Sequence, residues 1–92
     1  MQTMISVAIC DDDISMTGYI ESMLRDIAKK KNILVETEVF WEGNKLIKAV
    51  ENGTYFDIIF LDIEMGFDNG ITIARKIREI DKNVLITYVT SH

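Results

Sequence analysis

Two short apolar runs that each end on aspartate constrain this chain more than any other feature of its sequence. Residues 5–10 are followed directly by three aspartates, and residues 58–61 are followed by Asp62. Short apolar runs that alternate with helical segments are typical of buried parallel strands. In an open parallel sheet the carboxyl ends of neighbouring strands border one crevice, where ligands bind. We therefore expect the two acidic points to meet at one edge of a sheet.

Carboxylates that converge at such an edge need a partner of opposite charge. Asp11, Asp12 and Asp62 would repel one another unless a cation lay among them, and without it we expect at least one raised pKa. Clustered carboxylate oxygens suit a hard ion such as Mg²⁺. A plainer interpretation is that the acidic triplet caps a helix, that Asp62 ends a strand in a turn and that Thr90 is an ordinary β-former. The presence of both acidic points favours the metal site.

The hydrophobic period switches back and forth along the chain, which predicts strands and helices in alternation. The first helix is predicted from near Ser15 to Lys31, with Asp13 or Ser15 as its N-cap and Asn32 at its end. Strands are predicted at residues 5–10, 33–40, 55–61 and 84–89. The apolar faces of the other two helices contain Leu46, Ile47 and Val50, and then Ile73, Ala74, Ile77 and Ile80.

This alternation predicts an α/β fold, a doubly wound parallel sheet with helices on both faces. The nearly continuous apolar character of the third strand indicates a central position, whereas the second strand has the pattern of a half-exposed edge. A flavodoxin-like strand order, 2-1-3-4, would place the first and third strands side by side, and Asp11 and Asp12 next to Asp62. Spacing alone does not prove that order.

Composition limits the remaining possibilities. The chain has 92 residues, of which 48% are hydrophobic and 27% charged, and this describes one globular domain. A net charge of -5 argues against binding to nucleic acid. The one basic run, residues 29–31, is explained as the end of a helix, where positive charge is favourable. The single cysteine, Cys10, is expected in the core. No run has the length of a membrane span and no signal-peptide pattern opens the chain, so we expect a cytoplasmic protein.

Several motifs at predicted strand ends resemble those of the receiver domain of two-component response regulators. The likeness is greatest to the receivers that precede LytTR-type DNA-binding domains. It covers the whole chain, and Gly70 lies eight residues after Asp62 as in that family. The other matching segments are Ile9-Cys10-Asp11-Asp12-Asp13, Phe60-Leu61-Asp62-Ile63-Glu64-Met65 and Tyr88-Val89-Thr90-Ser91-His92.

The resemblance implies a role for each of these positions. Asp62 would accept a phosphoryl group from a sensor histidine kinase, and the hydroxyl of Thr90 would contact that group. Asp11, Asp12 and Asp62 would bind Mg²⁺, together with the backbone carbonyl of Glu64. Such a domain controls a downstream, DNA-binding output in a phosphorelay. It catalyses only its own phosphorylation and dephosphorylation, and it binds neither nucleic acid nor membrane itself.

The chain departs from the family pattern in two ways. Gly66 stands where the family usually has proline, which predicts a looser loop. Complete receivers also continue with a helix, a fifth strand ending in a functional lysine, and a last helix. We therefore expect residues 1–92 to be a truncated receiver without an effector domain. Open surface left by the truncation predicts a homodimer or larger assembly, joined through the edge of the fourth strand or the uncovered helix faces.

Two other classes of protein share part of this pattern. Haloacid-dehalogenase-like phosphohydrolases use a strand-end aspartate and Mg²⁺, and residues 11–13 superficially offer their Asp-x-Asp motif. Those enzymes follow the second aspartate with glycine and then threonine or valine, whereas Ile14 and Ser15 follow here. The other alternative is an interaction module that keeps the receiver scaffold without phosphorylation.

Overall fold

The structure, a computed structural model, describes residues 3–66 and 68–90. Its strands and helices alternate along the chain, with one small hairpin before the last helix. The strands are β1 (Met4–Cys10), β2 (Leu34–Phe40), β3 (Ile58–Asp62), β4 (Glu64–Met65), β5 (Asp68–Asn69) and β6 (Leu85–Val89). The helices are α1 (Ile14–Lys31), α2 (Gly43–Glu51) and α3 (Gly70–Ile80).

The four longer strands form one parallel sheet in the order β2-β1-β3-β6. This confirms the predicted order, because β6 is the fourth long strand along the chain. At the carboxyl end of β1, Cys10 is paired with Phe40 on one side and with Leu61 on the other. The residues that follow β1 therefore lie beside the end of β3.

Helices cover both faces of the sheet because side chains alternate along β1. Ala8 and Cys10 pack on the side of α2 and α3, in a core that includes Leu46, Ile59 and Ile77. Val7 and Ile9 point to the opposite side and pack against Ile20 of α1. The first core is the larger of the two, since two helices rather than one contribute to it.

The ends of α1 follow the expected capping chemistry. The side chain of Asp13 accepts hydrogen bonds from the backbone N–H groups of Ser15 and Met16, so Asp13 and not Ser15 is the N-cap. Asn32 ends the helix with φ 53°, in the left-handed region that asparagine tolerates. In the described part of the chain, no helix has both the length and the apolar composition needed to cross a membrane.

Local details differ from the sequence prediction at the start of β3 and after its end. The strand begins at Ile58 rather than at residue 55, because Asp57 already exchanges hydrogen bonds with Ser6. The Asp57 N–H donates to the Ser6 carbonyl at 2.8 Å, and its Oδ2 accepts from the Ser6 N–H at 2.8 Å. The predicted loop before α3 contains the antiparallel β4–β5 pair. Ile80, predicted on the apolar face of its helix, is 46% exposed.

Candidate functional site

The register of the sheet brings the two acidic points of the sequence together. Because Cys10 is paired with Leu61, the next residues along the two strands, Asp11 and Asp62, follow side by side at the carboxyl edge. The Asp11 N–H also donates to the carbonyl of Phe40 at 3.1 Å, which extends the contact between β1 and β2 by one residue. The position of Asp11 is therefore held from both neighbouring strands.

Three carboxylates cluster at this edge. Asp11, Asp12 and Asp62 each offer one oxygen, and these oxygens lie within 4.8 Å of one another. Asp11 and Asp62 are buried, at 1% and 3% exposed, whereas Asp12 is exposed. Negative charges at such distances repel strongly unless a cation or a proton is shared among them. The cluster is thus an acidic pocket with one side open to solvent.

Asp11 is the member of this cluster whose surroundings most clearly disfavour the charged carboxylate. Its Oδ1 accepts the N–H of Asp13 at 3.0 Å, while its Oδ2 is buried with no hydrogen-bond partner. Burial raises the pKa of the Asp11 carboxyl, and the negative charge of the neighbouring Asp62 raises it further, outweighing the Asp13 N–H bond that lowers it. A buried acceptor without a partner, facing two other carboxylates, fits a hard cation that prefers oxygen ligands.

Asp62 is held by the turn that follows it. Its Oδ1 accepts the N–H of Glu64 at 3.2 Å. Gly70, at the start of α3, donates its N–H to the carbonyl of Ile63 at 2.8 Å. A Cβ on Gly70 would meet the backbone of Asp62 and would lie 2.9 Å from the Cα of Ile63, closer than real contacts allow. Glycine is therefore required for α3 to begin directly against the end of β3.

Gly66 gives the loop a conformation that proline could not adopt. Its φ is +51°, in the left-handed region, whereas a proline ring fixes φ near −65°. A Cβ at this position would lie 3.6 Å from Oδ2 of Asp12, an ordinary contact distance, so the loop passes close to the acidic pocket. The departure from the family pattern at this residue is thus a different backbone conformation.

The remaining predicted residues lie at the same edge with less defined roles. Thr90 follows Val89, which is paired with Asp62 and accepts the Ile63 N–H at 3.3 Å. Thr90 is exposed, and Ser91 and His92, the last residues of its motif, lie outside the described residues. Glu64 is also exposed, as expected for a residue whose carbonyl is the proposed ligand. The structure places Thr90 and Glu64 beside the pocket, and their roles stay predictions.

Sequence reasoning missed the packing of Met65 beneath the pocket. Met65 is 3% exposed, and its sulfur lies 3.7 Å from the Sγ of the buried Cys10. This pair joins the end of β1 to the hairpin that follows Asp62, in the layer below the carboxylates. A strand of two residues has no measurable hydrophobic period, so no sequence signal could have revealed β4.

An acidic pocket at the carboxyl edge of a flavodoxin-like sheet is the arrangement expected of a receiver domain, and comparison with known proteins agrees. The sequence profile described as Response regulator receiver domain matches residues 7–92, so the chain belongs to that family. This excludes the haloacid-dehalogenase-like alternative as the family of the chain.

Solved structures give the same result. A response regulator receiver protein from Sinorhizobium medicae WSM419 is 29% identical with a TM-score of 0.79, over 96% of this chain and 67% of that one. The N-terminal domain of a response regulator/sensory box/GGDEF 3-domain protein from Carboxydothermus hydrogenoformans is 25% identical with a TM-score of 0.80. The match covers 95% of this chain and 65% of that one. The chain thus spans about two thirds of the length of these structures.

A third structure shares the fold at lower identity. It is a response regulator protein from Burkholderia pseudomallei with a phosphorylated aspartic acid, calcium ion and citrate. It is 16% identical with a TM-score of 0.73, and the match covers 96% of this chain and 48% of that one. At this identity the likeness shows the common fold alone.

Proposed function

We propose that Asp62 is the phosphoacceptor of this receiver domain and that a sensor histidine kinase is its phosphodonor. The observation that carries the proposal is the cluster of Asp11, Asp12 and Asp62, in which Oδ2 of Asp11 is buried without a partner. Membership of the receiver family supports it. The Burkholderia pseudomallei structure adds that this fold is compatible with a phosphorylated aspartate and a divalent cation.

The donor set fits Mg²⁺. Asp11, Asp12 and Asp62 would hold the ion with carboxylate oxygens, directly or through water, and Glu64 would add its backbone carbonyl. A bound Mg²⁺ would neutralise charge on the phosphoryl oxygens and on the carboxylates themselves. The unpartnered Oδ2 of Asp11 is the feature of this chain that calls for such a cation.

The reaction is a phosphoryl transfer in which a carboxylate oxygen of Asp62 attacks phosphorus in line with the leaving group. An O–P bond forms as the N–P bond of the kinase phosphohistidine breaks, and the freed imidazole takes up a proton. The Asp62 carboxylate is held by the Glu64 N–H, so one of its oxygens is already oriented before the donor arrives. In this proposal the Thr90 hydroxyl contacts the phosphoryl group after transfer.

The wider role is also part of the proposal. Resemblance to receivers that precede LytTR-type domains supports control of transcription through a DNA-binding output in a phosphorelay. A cytoplasmic location and a homodimer belong to the same proposal. Sequencing the reading frame beyond residue 92 tests the truncation, because it would show whether a fifth strand with its lysine follows.

Labelling with a small phosphodonor tests the acceptor. Phosphoramidate and Mg²⁺ should add one acid-labile phosphate per chain, and Asp62→Asn should abolish it. Asp26→Asn is the matched control, since Asp26 is an exposed carboxylate on α1, away from the pocket. Equal phosphate incorporation in the Asp62→Asn variant, measured by mass spectrometry, would show that the assignment is wrong.

The same samples separate the alternative functions. Steady turnover of a phosphate monoester would indicate a phosphohydrolase, whereas stoichiometric labelling indicates a receiver. A folded chain that shows neither would be an interaction module without phosphorylation. A folded Asp12→Ala variant with the same Mg²⁺-dependent NMR shifts as the wild type would contradict the metal site independently of labelling.

A further inference from the structure

Strand β2 has one backbone edge that no other strand covers in the described part of the chain. It is the terminal strand of the four-stranded sheet, and β1 lies on its inner side. The Leu34 N–H donates to the Thr3 carbonyl at 2.9 Å, and the Phe40 carbonyl accepts the Asp11 N–H at 3.1 Å. Backbone groups alternate between the two sides along a strand, so the even-numbered residues of β2 face β1 and the odd-numbered ones face outward. We call the outward N–H and C=O groups of Val35, Thr37 and Val39 the outer edge.

The outer edge lacks most of the features that prevent unwanted strand pairing. Such features are a short edge strand, a proline, a lysine or a bulge. Strand β2 has 7 residues, it pairs with β1 in an unbroken register, and it contains neither proline nor lysine. The only charged side chains on the strand are those of Glu36 and Glu38, and both are exposed. The outer edge is therefore open to an added strand whose charge suits these two glutamates.

The two glutamates decide which kind of strand can pair there. They share the face of Phe40, which packs in the core on the α2 side of the sheet. A second copy paired antiparallel about Thr37 would set Glu36 of each copy opposite Glu38 of the other, and like charges in direct opposition destabilise a sheet. Lysine or arginine side chains at the same positions would be attracted instead. The outer edge thus disfavours another copy of this chain and favours a basic segment.

A small cavity beside β2, on the same side of the sheet, adds to this selectivity. Its volume is about 140 Å³, and Glu36, Glu38 and Tyr55 are among the residues that line it. The Tyr55 hydroxyl donates to Oδ1 of Asp57 at 3.0 Å, which places a third carboxylate next to a lining residue. None of the described residues that line the cavity is basic. A lysine ammonium or an arginine guanidinium that entered it would meet carboxylates and an aromatic ring, both of which attract cations.

The opposite face of β2 is suited to apolar side chains. Val35 and Val39 are half-buried and pack against the core on the α1 side. The charged residues of α1 that line the small groove beside Val35 are Glu21 and Arg25, which have opposite signs. A strand that fits the outer edge therefore has basic residues at every second position and apolar residues between them.

We propose that the outer edge of β2 binds an extended basic segment of another protein, which adds to the sheet as a strand next to β2. The backbone of the segment pairs with the outward N–H and C=O groups of the outer edge. Its lysine or arginine side chains lie against Glu36 and Glu38, and its apolar side chains extend the core on the α1 side. Binding does not depend on phosphorylation of Asp62, because none of these groups belongs to the acidic pocket.

Titration with an acetylated and amidated peptide of alternating lysine and valine, equal in length to β2, tests the proposal. At low ionic strength, calorimetry should show binding of this peptide, whereas a peptide of alternating glutamate and valine should not bind. The double variant Glu36→Lys with Glu38→Lys should weaken binding by about tenfold or more. The matched control is Glu51→Lys with Glu79→Lys, which changes the net charge equally at exposed positions of α2 and α3. The control should bind like the wild type.

Amide hydrogen exchange separates strand addition from a contact between charges alone. With the lysine–valine peptide bound, the N–H groups of Val35, Thr37 and Val39 should exchange more slowly than in the free wild type. This measurement needs no variant, so it stays decisive if the double variant fails to fold. Asp62→Asn should bind the peptide like the wild type, which keeps the outcome independent of the phosphoacceptor assignment.

Several outcomes would overturn the proposal. They are no binding of the lysine–valine peptide, equal binding of the two peptides, equal losses in the control variant, and unchanged exchange at the outer edge with peptide bound. A wild-type homodimer that protects the same three N–H groups without peptide would overturn it too, and would assign the outer edge to a second copy of the chain.

Discussion

Replacing Asp11 with asparagine should stabilise the metal-free protein at neutral pH. The ionised Asp11 carboxylate is 1% exposed, has no hydrogen-bond partner at Oδ2 and lies beside Asp62 and Asp12. A buried polar atom left without a partner costs about 1–3 kcal/mol. Asparagine keeps the Oδ1 acceptor for the Asp13 N–H and places a donor where Oδ2 was. We expect a gain of about 1 kcal/mol, which raises Tm by about 4–8 °C in a domain of this size.

The stability difference between the wild type and Asp11→Asn should depend on pH. Burial and Asp62 raise the pKa of Asp11 in the folded state, so the native chain holds its proton to higher pH than the unfolded chain does. Below the ordinary aspartate pKa both states are protonated, and Asp11 costs nothing. As pH rises from that value through the raised pKa, wild-type stability falls. The advantage of Asp11→Asn should therefore be absent in acid and fully present above the raised pKa.

Mg²⁺ should make the wild type more stable than Asp11→Asn, the reverse of the order without metal. A ligand that binds only the folded state at ten times its Kd adds about 1.4 kcal/mol to the wild type. The asparagine variant lacks one ligand charge, so Mg²⁺ should stabilise it much less. Thermal unfolding at fixed protein concentration, in EDTA and in Mg²⁺ at several pH values, measures both effects, with Asp26→Asn as control. An Asp11→Asn variant that is less stable than wild type in EDTA at neutral pH would refute the reasoning.

Three further predictions concern residues outside the carboxylate cluster. Gly70→Ala should destabilise the domain by about 1–3 kcal/mol in urea unfolding, because the new Cβ meets the backbone of Asp62. An unchanged urea midpoint would contradict that close approach. In the same urea experiment, Asp13→Ala should lower the free energy of unfolding by about 1 kcal/mol, since it removes the acceptor of two N–H groups at the start of α1. Asp57 raises the pKa of Tyr55 through a hydrogen bond of 3.0 Å and its negative charge, so Asp57→Asn should lower that pKa in an NMR titration.

Most of the fold could be predicted because its long elements have strong hydrophobic periods. The residues of β1 form a nearly continuous apolar run, those of α1 are apolar at three- and four-residue spacing, and the caps Asp13 and Asn32 have specific backbone roles. The start of β3 was missed for a physical reason. Residues 55–57 look like strand from composition, but the Ser6 N–H donates to the Asp57 side chain instead of to a backbone carbonyl, which ends the regular pattern there.

The site was predictable in its residues but not in its energetics. Asp11 and Asp62 follow apolar runs, and a parallel sheet with these strands adjacent was enough to bring them together. The burial of one Asp11 oxygen without a partner depends on three-dimensional packing that a sequence does not display. The left-handed conformation of Gly66 was missed too, because the absence of proline indicated only a looser loop.

The pairing of Cys10 with Leu61 makes the acidic pocket a property of strand register. Side chains alternate between faces along a strand, so a slip of β3 by one residue would exchange Ile59 and Leu61, which face one core, with Ile58 and Phe60, which face the other. The same slip would carry Asp62 away from Asp11 by about 3.3 Å, the rise of one residue. Misregistered chains therefore have to repack both cores and lose the pocket in one error. Selection for a well-packed sheet consequently also preserves the chemistry at its edge.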